Sequence, residues 1–374
     1  MKKRTPEKVD AMDVEKRYRL VRDIAEEVIQ NDELKKLLEE KDHIIAYDGF
    51  EPSGLCHLPF GIYRPLLLKN MVEAKIHFKL LLADSFAWVN DKMGGDLEKI
   101  REVGKYFIEV WKTAGVDMNK VEVVWHKEHF DDPEYWKKVI LISKNHTLQR
   151  TIRSLAIAGR VGTEGNPAAY TFYPSMQCAD IFHLEAEICQ LGMDQRKVNM
   201  LAREVGPKLG WFKPVAVHHH LLMGLEGPQQ LEGFDEESVL DREISSKMSK
   251  SVTETSIYVH DTLEDIERKI NKAYCPPETG PEENPIMDYV KEIIFRAFDK
   301  FVVERDTKYG GDIEYEKFSD LESDYYQGKL HPLDLKQSTA LYIDNLVRPL
   351  RNHFERVRSA NELYQFVKES EVTR

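Results

Sequence analysis

Two lysines lie close together in a short run of hydroxylated residues, "SSKMSKSV", at positions 245–252. Lys247 and Lys250 are three residues apart, and serines flank both of them. Flexible ammonium groups of this kind hold the phosphates of a nucleotide and neutralise the charge that develops as pyrophosphate leaves. Lysine pairs in loops are more often simply solvated, so the pair alone leaves both interpretations open.

A second candidate for phosphate binding is the turn "GFEPSGLCHLPFG" at residues 49–61, which follows an apolar, β-rich run. A helical pattern begins near Leu58, so the turn lies at the N-terminus of a helix, where backbone amides favour an anion. Ser53 and His57 would reach a phosphate from this turn. Read alone, "HLPFG" is unremarkable.

The block "YPSMQCADIFHLEAEICQLGMDQRKVNMLAREV" at residues 173–205 combines polar side chains with a mostly apolar helical pattern. Pro174 suits the first turn of a helix. Tyr173, Gln177 and Asp180 then follow one another at helical spacing and lean to one face. An acid, an amide and a phenol on one face predict either a polar binding pocket or a hydrogen-bonded network within the core.

Together these motifs resemble the tyrosyl-tRNA synthetases of archaea and eukaryotes, a family within class I of the aminoacyl-tRNA synthetases. "KMSKS" is the second signature of that class. His57 and Leu58 match the first half of its H-I-G-H signature, but Pro59 and Phe60 replace the glycine and the second histidine. The resemblance extends from about residue 47 to residue 336, through "LGMDQRK", "NKAYCPPE", "YGGD" and "HPLDLK".

The resemblance implies an enzyme that activates tyrosine with ATP and Mg²⁺ and then transfers it to the 3′ end of tRNA(Tyr). It assigns catalytic charge stabilisation to His57, Lys247 and Lys250. Residues of the tyrosine site would be Tyr47, Tyr173, Gln177, Asp180 and Gln195. Residues of the ATP site would be Gly49, Ser53, His57, Gly192, Asp194, Leu222, Lys247, Met248, Ser249, Lys250 and Ser251.

The resemblance also implies a tRNA-binding surface and a homodimer. The acceptor stem would meet Arg153, Arg196 and Lys197, whereas Tyr309, His331 and Asp334 would meet the first anticodon base. A pocket that pairs with a phenol leaves its own polar groups unpaired when phenylalanine enters, and tyrosine-specific synthetases are the established example of this discrimination. No editing domain is therefore expected.

The order of predicted strands and helices along the chain agrees with this resemblance. Strand-like runs alternate with helical patterns, which predicts an α/β fold with a Rossmann-like, doubly wound parallel sheet. The strand candidates are "HIIAYDGF", "FKLLLAD" (78–84), "VEVVWH" (121–126) and "KPVAVHHHLL" (213–222). Helices are predicted for the N-terminal arm as far as Val28, for an insertion at about 130–172, and for a long stretch after Pro174.

The predicted domains follow from these elements and from a change of pattern near residue 260. They are an N-terminal helical arm at 1–40, a catalytic domain at 41–240, a lysine loop and linker at 241–259, and a mainly α-helical anticodon-binding domain at 260–374.

Composition limits the class of protein. The formal net charge of −12 argues against indiscriminate coating of nucleic acid, although local cations still allow a specific nucleic-acid partner. No apolar run approaches the ~18 residues of a membrane span, so no membrane partner is expected. The four cysteines form no C-x-x-C pair, which fits a reducing cytoplasm. In the run "HHH" only His218 and His220 would share a strand face, so no metal is expected.

Two alternatives remain from the residues themselves. One is the related enzyme for tryptophan, although an indole needs no phenol-binding pair such as Tyr47 and Asp180. The other is a non-catalytic RNA-binding paralogue, whose support is the altered "HLPFG" turn.

Overall fold

The structure, a computed structural model, describes residues 11–155, 167–228, 244–249 and 253–370. The chain divides into two compact units. The first consists of Met1–Ser53, Leu68–Arg101 and Asp117–His220, and the second of Gly54–Leu67, Glu102–Val116 and Leu221–Arg374. Among the described helices, none combines the length and the apolar character that a bilayer span requires.

The first unit is built on a six-stranded sheet. Its strands are β1 (Glu27–Val28), β2 (Ile45–Phe50), β3 (His77–Leu82), β4 (Val121–Trp125), β5 (Ile188–Gly192) and β6 (Val215–His219). The spatial order is β1-β6-β5-β2-β3-β4, with β1 antiparallel to β6 and all other pairs parallel. Every residue of β5 and β6 is buried, as expected where helices cover both faces of a parallel sheet. The predicted doubly wound α/β fold is confirmed.

Helices connect these strands. In chain order they are α1 (Ala11–Asp23), α2 (Asn31–Glu40), α3 (Arg64–Glu73), α4 (Asp84–Val89), α5 (Leu97–Thr113), α6 (His126–Phe130), α7 (Pro133–Ser143), α8 (Leu148–Ser154), α9 (Tyr173–His183) and α10 (Arg196–Lys208). Short 3₁₀ turns cover Lys92–Gly95, Ala168–Phe172 and Met193–Gln195.

The strand order reverses between β2 and β5. From β2 the chain continues outward through β3 and β4, and it then returns to the other side of β2 to add β5 and β6. Tyr47 is in register with Cys189 across the β2–β5 pair, and Gly192 is in register with His219 across the β5–β6 pair. Ligands of open α/β sheets bind at the carboxyl ends of strands beside such a reversal.

Three local predictions differ from the structure. The helix predicted to run on from Pro174 ends at His183, and β5 follows it. The N-terminal helix ends at Asp23 rather than near Val28, because Glu27 and Val28 pair with β6. The region after residue 260 is mainly helical, as predicted, but it also contains an antiparallel hairpin of β7 (Phe301–Val303) and β8 (Ile313–Tyr315).

The second unit contains this hairpin and the C-terminal helices. These helices are α11 (Leu263–Lys272), α12 (Pro285–Tyr289), α13 (Phe295–Ala297), α14 (Phe318–Tyr326), α15 (Pro332–Arg356) and α16 (Arg358–Ser370). π-helical turns cover Pro59–Tyr63 and Val290–Ile294, and 3₁₀ turns cover Thr253–Thr255 and Thr307–Tyr309. Thr262 and Asp265 form a capping box that fixes the start of α11.

An aromatic cluster in the second unit surrounds His260. The imidazole stacks on Tyr364 at a centroid distance of 4.0 Å, and Phe354 meets it edge-on at 4.9 Å. Its Nε2 lies 2.8 Å from the Tyr106 hydroxyl. Burial, followed by the nearby Arg351 and Lys368 charges, lowers the pKa of His260 from 6.5 to about 3. The ring is therefore neutral at physiological pH.

This low pKa gives the folded state a pH dependence. Between about pH 6.5 and pH 3 the unfolded chain protonates His260 and the folded chain does not, so stability falls as pH falls through that window. The slope from one such group is at most ~1.4 kcal/mol per pH unit. We expect His260→Gln to flatten the decline in unfolding free energy between pH 6.5 and 4, as measured by denaturant titration. His43→Gln, which changes an exposed histidine, is the control, and an equal flattening in both variants would contradict the prediction.

Candidate active site

Two of the buried side-chain polar atoms in the first unit that lack a hydrogen-bond partner among the described residues bear directly on this site. They are the hydroxyl of Tyr47, in the middle of β2, and Oδ2 of Asp180, in α9. Both side chains are about 1% exposed. Because an unpaired buried polar group costs about 1–3 kcal/mol, two of them in one core indicate the place of a ligand. Burial, followed by nearby Cys189 and Asp180, raises the pKa of Tyr47 well above 10, so its hydroxyl stays protonated.

The other carboxylate oxygen of Asp180 is held by two histidines. Nδ1 of His129 lies 2.9 Å from Oδ1, and Nε2 of His126 lies 3.1 Å from the same oxygen. Burial alone would raise the pKa of Asp180, but the two imidazoles outweigh it and the net shift is downward. The carboxylate is therefore ionised. Its Oδ1 faces the two histidines, and its Oδ2 accepts no hydrogen bond from the described residues.

Neither histidine was predicted as a site residue. A signal for them was present, because His126 directly follows the end of β4 and His129 stands three residues further along α6. Residues at that spacing share a helix face, and this one begins at the carboxyl edge of a parallel sheet. In the described part of the chain, His126, His129 and Asp180 form the one group whose nitrogen and oxygen atoms are close enough to hold a metal ion.

A second polar group lies around the N-terminal half of α9. The Tyr173 hydroxyl donates to Oε1 of Glu51 at 2.6 Å, and Nε2 of Gln177 donates to Oε1 of Gln195 at 2.8 Å. Oε1 of Gln177 is buried and accepts no hydrogen bond from any described residue. Burial, and then the Glu51 carboxylate, raises the pKa of Tyr173 well above 10. A phenol, two amides and a carboxylate thus meet here, and they can accept hydrogen bonds from an ammonium group.

Tyr173, Gln177 and Gln195 were predicted to act together, and the structure brings Gln177 and Gln195 into contact. Glu51 was missed. It follows the end of β2, and its Oε1 also accepts from Asn90 at 2.7 Å. The signal for Glu51 was its place just beyond a buried strand, where parallel sheets present their binding residues.

The predicted nucleotide-binding residues of the first unit lie at the same edge of the sheet. Gly49 is near the end of β2, and Gly192 is the last residue of β5. Asp194 lies in the 3₁₀ turn that follows β5, and Ser53 lies three residues beyond β2. Since β2 and β5 are neighbours in the sheet, their carboxyl ends are adjacent.

The "HLPFG" turn is anchored by a strand-like pairing within the second unit. His57 forms a bridge with Tyr258, supported by hydrogen bonds from Leu58 N to Ile257 O at 2.9 Å and from Val259 N to Cys56 O at 3.0 Å. The turn is therefore fixed by the segment that follows the lysine loop.

Phe60 is a core residue, although it occupies the region where the class signature has its second histidine. It is 4% exposed and packs on Phe107 at 4.3 Å and Trp111 at 5.4 Å between ring centroids. Gly61 beside it is required by space, because a Cβ there would lie 2.3 Å from Cγ1 of Val259. Phe60 fills the core and supplies no phosphate ligand, which leaves His57 as the polar side chain of "HLPFG".

The start of the lysine loop is a helical turn at residues 244–246, which is followed by an isolated bridge to residue 223. Lys247 bridges Met223, while Gly224 N donates to Ser246 O at 2.8 Å and Met248 N donates to Leu222 O at 2.7 Å. Met248 and Leu222 are buried, whereas Lys247 between Ser246 and Met248 is half-buried. The hydroxyl of Ser256 donates a hydrogen bond to the carbonyl oxygen of Ser249 at 2.7 Å. Lys250 and Ser251 lie outside the described residues.

The predicted acceptor-stem cations differ in their surroundings. Arg153 is exposed on α8, and Arg196 and Lys197 open α10. Nε of Arg196 lies 2.9 Å from Oε2 of Glu27, which also accepts from Nδ1 of His218 at 2.8 Å. Burial opposes ionisation of Glu27, but hydrogen bonds and charge from His218 and Arg196 lower its pKa to about 2.

The three neighbouring histidines of β6 and its end each face a polar side chain. Besides Glu27, His218 meets Nδ2 of Asn199 at 2.9 Å. His219 lies 3.2 Å from Nε2 of Gln190, and His220 lies 3.0 Å from Oε2 of Glu26. His218 and His220 thus contact Glu27 and Glu26 at β1, and His219 contacts Gln190 in β5.

The predicted anticodon residues lie in the second unit. Tyr309 is 63% exposed, at the end of a 3₁₀ turn that needs glycine next, since Gly310 has a φ of 101° and Gly311 a φ of 76°. His331 caps α15 by accepting the Leu333 amide at 3.1 Å. The side chain of Asp334, in the first turn of α15, makes no hydrogen bond or ion pair with another residue in the described ranges, so capping does not account for it.

The chain is similar to known proteins over nearly its whole length. A family model for tRNA synthetases class I (W and Y) matches residues 39–348. Tyrosine–tRNA ligase 1, cytoplasmic, of Arabidopsis thaliana is 44% identical over 97% of this chain and 90% of its own. Tyrosine–tRNA ligase of Saccharolobus islandicus (strain M.14.25 / Kamchatka #1) is 42% identical over 97% of this chain and 100% of its own. The crystal structure of tyrosyl-tRNA synthetase from Pyrococcus horikoshii with L-tyrosine matches with a TM-score of 0.86 at 40% identity, covering 94% of this chain and 99% of that one.

These findings confirm the resemblance predicted from the motifs. Relatives at 42–44% identity over almost the full chain are named for tyrosine, so the tryptophan alternative is not supported. The family's reaction uses tyrosine, ATP and tRNA. The chain belongs to the class I tRNA synthetases of the tryptophan and tyrosine group, and within that group to the tyrosine–tRNA ligases.

Proposed function

We propose that this chain activates tyrosine in the buried pocket of the first unit, with Tyr47 and Asp180 binding the phenolic hydroxyl. The observation that carries the proposal is the pair of buried atoms without a partner among the described residues, the Tyr47 hydroxyl and Oδ2 of Asp180. A phenolic hydroxyl donates one hydrogen bond and accepts others. One bound tyrosine would therefore donate to the carboxylate and accept from Tyr47.

The opposite end of the substrate carries an ammonium group, for which the proposed ligands are Tyr173, Gln177 and Gln195. Oε1 of Gln177 accepts from none of the described residues, and the Tyr173 oxygen keeps an acceptor site while its proton goes to Glu51. Glu51 would add a negative charge next to the ammonium. An ammonium group has three donors and no acceptor, which this set of oxygens matches.

The two steps of the family's reaction need different help from the protein. First, a carboxylate oxygen of tyrosine attacks the α-phosphorus of ATP, and the bond to pyrophosphate breaks. Second, a terminal ribose hydroxyl of tRNA attacks the carbonyl carbon of the adenylate, and AMP leaves. No side chain need form a covalent bond, so the proposed work of the protein is positioning and charge stabilisation.

For ATP, the proposed ligands of the ribose are Gly192 and Asp194, with Gly49 and Ser53 along the nucleotide. Proposed ligands in the second unit are His57 and Lys247 for phosphates, and the backbone near Leu222 for adenine. The rest of the lysine loop completes the proposed set, with Met248, Ser249, Lys250 and Ser251.

Magnesium is proposed to arrive with the phosphates of ATP rather than in a protein site. The metal-capable group of the described residues, His126, His129 and Asp180, offers two imidazole nitrogens, whereas Mg²⁺ prefers oxygen ligands. When bound, the ion would supply positive charge to the phosphates as pyrophosphate departs.

For tRNA, Arg153, Arg196 and Lys197 are proposed to meet the acceptor stem. Tyr309 is proposed to stack on the first anticodon base, because exposed aromatic rings serve as platforms for unpaired bases. Asp334 would accept hydrogen bonds from that base, with His331 alongside. A homodimer working in the cytoplasm, with domain boundaries near residues 40, 240 and 260, completes the proposal.

The decisive experiment is ATP–pyrophosphate exchange with the full chain, run separately with tyrosine, phenylalanine and tryptophan. We expect exchange with tyrosine, and a rate with phenylalanine lower by several orders of magnitude, because phenylalanine leaves Tyr47 and Asp180 unpaired. Exchange with tryptophan would overturn the pocket assignment. Absence of exchange with all three, in protein shown to be folded by circular dichroism, would favour the RNA-binding alternative.

A further inference from the structure

We infer that His126 and His129 are positioning residues that aim Asp180 at the substrate and so set the preference for a hydroxylated side chain. Neither would touch tyrosine itself. The inference rests on the proposed function, since it concerns the carboxylate proposed to bind the phenol.

The two carboxylate oxygens of Asp180 have different surroundings. Oδ1 has His129 Nδ1 at 2.9 Å and His126 Nε2 at 3.1 Å, whereas Oδ2 has no partner among the described residues. All three side chains are buried, with exposures of 0–5%. Rotating the carboxylate would break both contacts between buried side chains, so the two rings hold Oδ2 in one direction.

The histidines are themselves held in place. Nε2 of His126 lies 2.9 Å from the Tyr135 hydroxyl, which donates to the carbonyl of Met176 at 3.0 Å, on the same helix as Asp180. The His126 ring meets Phe86 edge-on at 4.6 Å. Residues from β4–α6, α7 and α9 therefore form one connected arrangement around a single carboxylate.

The protonation pattern agrees with this arrangement. To donate to Oδ1, His129 must carry a hydrogen on Nδ1, whereas Nε2 of His126 lies 2.9 Å from the Tyr135 hydroxyl as well as 3.1 Å from Oδ1. Nδ1 of His126 is buried without a partner among the described residues.

His183 packs on the other side of His129, at 4.6 Å between ring centroids. Burial, followed by repulsion from His129 and Lys138, lowers the pKa of His183 to about 4. The His183 ring is therefore neutral at physiological pH, with Lys138 and Asp132 as its charged neighbours at 3.2 Å and 3.5 Å.

The test separates donor chemistry from packing. His126→Leu and His129→Leu each remove a donor. His126→Gln places an amide N–H near the position of Nε2, and His129→Asn places one near the position of Nδ1. We expect each leucine variant to lower kcat/KM for tyrosine in ATP–pyrophosphate exchange by ~10–100-fold, the effect of losing one hydrogen bond to a charged group. We expect the amide variants to stay within about fivefold of the parent protein, because they retain the donor.

Phenylalanine serves as the comparison substrate. If the histidines only supported the fold, their loss would not change the ratio of kcat/KM for tyrosine to kcat/KM for phenylalanine. Because phenylalanine does not use Asp180, its kcat/KM should be unchanged in all four variants, so the tyrosine-to-phenylalanine ratio falls only in the leucine variants. Equal losses for both amino acids, or no loss for either, would overturn the inference. Exchange activity abolished by a chelator and restored by Zn²⁺, with Mg·ATP kept in excess, would also overturn it by assigning the cluster to a metal.

Asp180→Ala, measured in the same assay, distinguishes the proposed substrate-binding role of Asp180 from the inferred positioning role of the two histidines. If that variant keeps full exchange with tyrosine, the proposed role of Asp180 fails. If it loses exchange while both leucine variants retain the parent ratio, Asp180 binds substrate and the positioning role of the histidines alone is wrong.

Discussion

Asp180→Ala is expected to lower kcat/KM for tyrosine activation by at least ~10³-fold. The substitution removes the acceptor of the phenolic hydrogen and leaves the Tyr47 hydroxyl and two imidazole donors in a buried site. Each unpaired buried group costs about 1–3 kcal/mol, so three together cost roughly 3–9 kcal/mol, a range that includes the ~4 kcal/mol of a 10³-fold loss. The measurement is ATP–pyrophosphate exchange over a range of tyrosine concentrations.

Binding of tRNA(Tyr) should be nearly unchanged in the same variant, because the pocket is buried and the proposed tRNA contacts lie elsewhere. Asp131→Ala, which removes an exposed carboxylate close to α6, is the matched control and should retain exchange. A parallel loss of tRNA binding and of cooperative unfolding in Asp180→Ala would show that Asp180 supports the fold rather than the substrate.

The sheet was predictable where strand and helix patterns alternate plainly. β2, β4 and β6 lie within their strand candidates, and β3 begins one residue before its candidate, because each is a short apolar run bounded by polar or turn residues. β5 was missed because "ICQLG" is only five residues long and lies between two true helices. A buried strand of that length has no period that distinguishes it from a buried helical turn, and only its pairing with β2 and β6 decides the matter.

The end of the N-terminal helix was misjudged for a related reason. Val28 continues the helical spacing of the apolar residues before it, yet β1 pairs with β6 and Glu27 binds His218. Contacts with a strand almost 200 residues away override the local pattern. The β7–β8 hairpin was missed likewise, because three-residue strands leave almost no alternation to detect.

The site shows the same division between local pattern and distant contact. Spacing alone predicted that Tyr173, Gln177 and Asp180 share a helix face, and α9 contains all three as buried residues. Their partners Glu51, His126 and His129 come from other segments, which only the parallel sheet brings to α9. Sequence could indicate them as residues beyond strand ends, but it could not state which carboxylate oxygen they would meet.

Lys247→Ala is expected to lower kcat for ATP–pyrophosphate exchange by roughly 10²–10³-fold, the usual loss when one preorganised charge is removed from a transition state. Lys247 is proposed to neutralise the phosphates as pyrophosphate leaves. Its backbone is held by the bridge to Met223 and by burial of its neighbour Met248. A backbone shift that brings another cation to the same position is therefore not expected. The KM for tyrosine should change little, because the tyrosine-binding residues of the first unit are untouched.

Two variants separate charge from shape and from tRNA binding. Lys247→Arg keeps the charge but changes its geometry, so it should retain more activity than alanine and less than lysine. Lys197→Ala removes a cation proposed to meet tRNA, so it should leave exchange intact and slow only the transfer of tyrosine to tRNA. If Lys247→Ala instead slows the transfer step and spares exchange, the lysine acts on tRNA. The role of "KMSKS" in pyrophosphate release would then have to rest on Lys250 alone.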